Sequence, residues 1–159
     1  MDDPLTKEIP MSVDQSATQD LVKIAEDGKE GYAKGAEELA NSDRPELATT
    51  FTRFSEQRAS FSAELQSLAD KYGDSVKATG SPAAALHRGW MAIRDAVTGS
   101  GPDSVLKTAI QGEDHAIESY EKTLSQEISA DTQAMAQRQL GQIQAARAEL
   151  SQLLATTTG

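Results

Sequence analysis

Two charged residues of opposite sign interrupt apolar seams in this sequence, and they are the side chains best placed to do chemistry. Leu47, Phe51, Phe54, Arg58, Phe61, Leu65, Leu68 and Tyr72 follow one another by alternating steps of four and three, the spacing that keeps residues on one helix face. Leu106, Ile110, Glu113, Ile117, Tyr120 and Leu124 repeat the pattern. Arg58 breaks the first stripe and Glu113 breaks the second. A buried ion without a partner is strongly destabilising, so each needs either a counter-charge inside the fold or a metal ion.

Two arrangements meet that need. Arg58, Glu113 and Arg147 fall near the middle of their predicted helices, as does Asp27 beside Gly28. The four can form one central polar layer in which arginine forks meet carboxylates bidentately. In the rival arrangement Asp27, Glu113 and His115 hold iron, manganese or zinc. Carboxylate-bridged metal centres in helical bundles draw Glu from two helices and Glu-x-x-His from two others. No Glu-x-x-His occurs here, and Glu113-x-His115 cannot put both side chains on one helix face. The balanced layer, without a resident cofactor, is therefore the expected arrangement. Nucleophile–base pairs, phosphate loops and dinucleotide fingerprints are absent from the sequence.

The elements that must position these residues read as helices. The prediction is a tail over 1–15, one helical bundle domain over 16–155, and a disordered end at 156–159. Ser16 with Gln19 resembles a capping box opening the first helix, whose face carries Leu21, Ile24, Ala25, Gly28, Tyr32, Gly35 and Leu39. Gly28, Gly31 and Gly35 there predict close contact with Trp90 or a Phe of the second helix. Pro45 suits the first turn of that second helix, and Gly73 suits its C-terminal cap. Ser81-Pro82 opens a shorter helix bearing Leu86, Trp90, Ile93 and Val97. A fourth begins near Asp103 and runs to about Gln126. A fifth begins near Ser129, with Ala136, Leu140, Ile143, Arg147, Leu150 and Leu154 on its inner face. Short links make two antiparallel hairpins, and the long crossover holds the short helix. The fold class is all-α, a four-helix bundle of ferritin-like topology.

A formal net charge of −10 argues against nucleic-acid or anionic-membrane partners, because phosphates would be repelled. The sequence has no cysteine, hence no disulfide or thiolate site. It has no leader-like or membrane-length apolar run, and a cytoplasmic location is expected. His87, Arg88 and Trp90 form a compact candidate interaction motif.

The segments Asp27-Gly28-x-Glu30-Gly31-Tyr32, Ser55-Glu56-Gln57-Arg58, Leu86-His87-Arg88-Gly89-Trp90 and Gly112-Glu113-Asp114 span most of the chain. On these the sequence resembles a bacterial family of ferritin-like four-helix-bundle proteins known chiefly as a domain of unknown function. The resemblance implies the ferritin-like fold and a stress-associated accessory role, and brings no established reaction. The expected function is that of a non-enzymatic bundle acting through protein contacts or self-association, with a homodimer as one candidate. The alternative is a redox or storage protein with a degenerate metal site.

Overall fold

The computed structural model of the protein describes residues 13–71, 73, 76, 90 and 101–158. It contains four long helices, α1 (Val13–Ala40), α2 (Leu47–Lys71), α3 (Pro102–Leu124) and α4 (Ala130–Thr158). The predicted short crossover helix falls outside the described residues except for Trp90, as do Tyr72, His87 and Arg88. No strand occurs among the described residues.

Local chemistry sets the helix ends. The Ser42 hydroxyl donates to the Leu39 carbonyl at 2.7 Å and accepts from the Arg44 N–H at 3.0 Å, closing α1 into a short turn before α2. Gly73 beyond α2 and Gly101 before α3 adopt φ of 79° and 83°, the left-handed region that glycine enters without steric cost. Ser129 caps α4, its Oγ accepting from the Thr132 N–H at 3.3 Å.

Two boundaries differ from the sequence expectation. Val13 to Gln15 are helical rather than tail, because Asp14 reaches α4 and accepts from the Ser129 N–H at 2.8 Å. At the other end α4 continues through Thr158 rather than stopping at 155, with the Thr156 hydroxyl bonded to the Leu153 carbonyl at 2.9 Å.

α1 packs along α2 and α3 along α4, and α1 against α3 joins the two hairpins. The core divides into two clusters. One contains Leu21, Val22, Phe61, Leu65, Tyr120 and Ile143. The other contains Tyr32, Phe51, Phe54, Trp90, Leu106 and Leu150. Burial of each such side chain contributes about 1.5–3 kcal/mol. Arg58 falls between Phe54 and Phe61, Glu113 between Ala109 and Ala116, and Gly28 between Ala25 and Tyr32, so the polar residues lie at the join of the two clusters.

Candidate functional site

Arg58 is 2% exposed and Glu113 is fully buried, the only buried carboxylate among the described residues. The guanidinium donates through one terminal nitrogen to Glu113 Oε1 at 2.7 Å and through the other to Oε2 at 2.5 Å. This is the planar fork that arginine offers and lysine cannot. Glu113 Oε2 also accepts the Tyr32 hydroxyl. Three helices thus meet in one charge-neutral group.

The backbone makes room for it. A Cβ on Gly28 would come within 3.3 Å of the Arg58 side chain. The Arg58 guanidinium carbon lies 5.4 Å from the Tyr32 ring centre and 5.7 Å from that of Phe61, both within cation–π range. Tyr32 is itself boxed by Phe51, Phe54 and Trp90, with ring centres 5.2, 5.2 and 4.7 Å away. Trp90 enters between α1 and α3 where a glycine faces it from each helix. A Cβ on Gly31 would stand 2.2 Å from its indole and one on Gly112 2.5 Å from it. Gly35 makes similar room for Phe51.

Electrostatics follow from this burial. Desolvation and then the Glu113 charge push the Tyr32 hydroxyl well above the ordinary tyrosine range. Burial by itself would lower Arg58, but the charge and hydrogen bonds of Glu113 outweigh it and raise the guanidinium further. Tyr120 is likewise raised, chiefly by burial.

The other proposed members of the layer lie elsewhere. Arg147 is not buried: its side chain is 39% exposed and paired with Asp114 at 2.5 Å. The reason is the seam of α4, which runs through Thr132, Ala136, Gln139, Ile143, Ala146 and Leu150, all buried, and passes one residue short of Arg147. Asp27 is half-buried and lines a cleft between α1 and α3 with Asp20, Lys23, Ser119 and Lys122. His115 is exposed, on a different side of α3 from Glu113. Trp90 of the candidate interaction motif is in the core, and its companions His87 and Arg88 lie outside the described residues.

Tyr32, Tyr120 and Gln139 are polar participants that the sequence reading missed. Gln139 is fully buried, accepts the Tyr120 hydroxyl at 2.6 Å and donates to Glu64 at 3.0 Å. Its place on a four-three seam was the available signal.

A di-metal centre does not fit this core. Glu113 has both oxygens committed to Arg58, and no group of three or more His, Cys, Asp or Glu residues able to hold a metal exists among the described residues. The central layer can hold helices in register and keep water out. No described helix is long and apolar enough to cross a membrane.

Solved structures with the same architecture are ferritin-like bundles. An iron-soaked variant of PmFTN superimposes with a TM-score of 0.72 at 14% identity, over 91% of this chain and 87% of that one. A dodecameric thioferritin, the bacterioferritin-related protein from Bacteroides fragilis, gives 0.69 at 14% identity over 93% and 89%. A conserved hypothetical protein from Mycobacterium tuberculosis gives 0.68 at 12% identity over 89% and 97%. At these identities the likeness establishes the ferritin-like fold alone. No curated protein matches the sequence. One family model matches residues 15–126, most of the chain and three of its four long helices, and by that match the protein belongs to the family described as Domain of unknown function (DUF2383).

Proposed function

We propose that this protein is a ferritin-fold bundle that works without a di-metal centre, as a non-enzymatic protein acting through self-association. The observation that carries the reading is the Arg58 fork on Glu113. A guanidinium holding the one buried carboxylate among the described residues supplies the positive charge that a metal would otherwise bring, and it leaves neither oxygen of that carboxylate free to ligate. Support for self-association comes from the dodecamer formed by a thioferritin of the same fold.

Metal content tests the first half of this reading. Protein purified without chelator and dialysed should retain less than one equivalent of iron, manganese or zinc. Stoichiometric metal, lost on Glu113→Gln, would replace this function with metal storage or redox chemistry.

A further inference from the structure

Five glycines lie inside the four helices, and four of them are explained by what packs on them. Gly28 faces Arg58, Gly31 and Gly112 face Trp90, and Gly35 faces Phe51. Gly141 is different. A Cβ there would meet nothing within 4 Å, so among the described residues no neighbour uses the space that its missing side chain leaves. A mid-helix glycine destabilises its helix relative to alanine, which makes an unused one conspicuous.

Gly141 belongs to a stripe that repeats every seven residues, Ala134, Gly141, Ala148 and Ala155, all exposed. Shallow hollows flank the stripe, one beside Ala134, Met135 and Arg138 and the other beside Ala148, Gln152 and Leu153. The charge of this helix also sets it apart from α1 and α3. In a chain of net charge −10, α4 carries two acids, Asp131 and Glu149, and two bases, Arg138 and Arg147. Like-charge repulsion between two copies is therefore weaker along this helix than along the net-acidic α1 and α3.

We propose that the outer face of α4 is where two copies of this chain pair, antiparallel about a two-fold axis beside Gln144 and Ala145. This rests on the self-association reading and names its surface. Such an axis sets Gly141 of one copy opposite Ala148 of the other, and Ala134 opposite Ala155, so small residues meet small residues along the whole seam. It also brings Arg138 within one helical turn of Glu149 of the second copy, on the side where both already hold α2. Arg138 pairs with Glu64 at 2.7 Å and Glu149 with Arg53 at 2.8 Å. Pairing would join them into an alternating row, Glu64, Arg138, then Glu149 and Arg53 of the second copy, repeated by symmetry. Isologous contacts of this kind close at two subunits.

The area sets the strength. From Ala134 to Ala155 the helix runs roughly 32 Å, and a strip about 10 Å wide covers roughly 300 Å² per copy. A standard stable interface covers about 800 Å² per partner. The dimer is accordingly weak and concentration-dependent.

The full chain should be followed by sedimentation velocity from about 10 μM to about 1 mM, the range in which a weak pair forms. The expected result is a monomer–dimer equilibrium that Gly141→Lys weakens at least tenfold while its helical content and melting temperature stay at or above wild type. The absence of cysteine allows a positional check. Under mild oxidation Ala145→Cys should link to itself, Ala134→Cys should not, and Ala134→Cys mixed with Ala155→Cys should. A dimer untouched by Gly141→Lys, with no Ala145→Cys linkage, overturns the α4 face and leaves self-association standing. A monomer at every concentration overturns both.

Discussion

Glu113 and Asp114 are consecutive carboxylates on α3, and each receives an arginine from another helix. Arg58 of α2 meets Glu113 where both are almost wholly enclosed, and Arg147 of α4 meets Asp114 where side-chain exposures are 39% and 52%. The chemistry of the two pairs is the same. What differs is the medium. Around Arg147 and Asp114 water solvates either partner if the other leaves, so the pair contributes little. Around Arg58 and Glu113 no water is available, so removing one partner strands the other. One residue of helical rotation, about 100°, separates the two regimes.

The comparison is broken most forcefully by single substitutions at the inner pair. Arg58→Met or Glu113→Leu should each cost about 3–5 kcal/mol in denaturant melts, because an unpaired charge remains in the core. Gly31→Ala should cost about 1–3 kcal/mol even though alanine favours the helix, since its methyl would have to displace the Trp90 indole. Thermal unfolding reads that loss directly.

Tyr32→Phe sharpens the account further. It removes one donor from Glu113 while leaving the Arg58 fork, so about 1 kcal/mol should be lost at neutral pH. The alkaline limb gives a separate signature. The folded-state pKa of Tyr32 is raised above its ordinary value near 10, so the folded state holds the proton longer than the unfolded one. Stability contributed by this difference is present below about pH 10 and declines as pH rises above it, by up to about 1.4 kcal/mol per unit for each such tyrosine. Tyr32→Phe should flatten that decline and Tyr120→Phe should flatten the remainder. At the outer pair, Arg147→Ala or Asp114→Ala should cost under about 1 kcal/mol, and less still at high salt.

These residues also show what a sequence can disclose. Arg58 and Glu113 stand out because a charge inside a strongly apolar seam has few physical explanations. The helices α2 and α3 were legible for the same reason, their seams being written in Phe, Leu and Ile. The inner face of α4 is written in Thr132, Ala136, Gln139 and Ala146, which carry little hydrophobic contrast. Counting four from Ile143 reaches Arg147, counting three reaches Ala146, and only packing against α3 decides between them. Gln139 was hidden by the same lack of contrast. The early start of α1 depends on Asp14 meeting Ser129, a contact across the fold that no local capping pattern contains. Glycines on α1 signalled close approach, but which aromatic fills each gap, Trp90 at Gly31 and Phe51 at Gly35, depends on contacts across the fold that no local pattern contains.

The most direct measurement is a pair of double-mutant cycles run side by side, Arg58→Met with Glu113→Leu and Arg147→Ala with Asp114→Ala. The inner cycle should show large single losses, a double variant that recovers much of them, and a coupling energy near the upper end of about 0.5–3 kcal/mol. The outer cycle should couple by under about 1 kcal/mol. Small, additive effects at Arg58 and Glu113, no larger than those at Arg147 and Asp114, would contradict the buried pair and the metal-free core built on it.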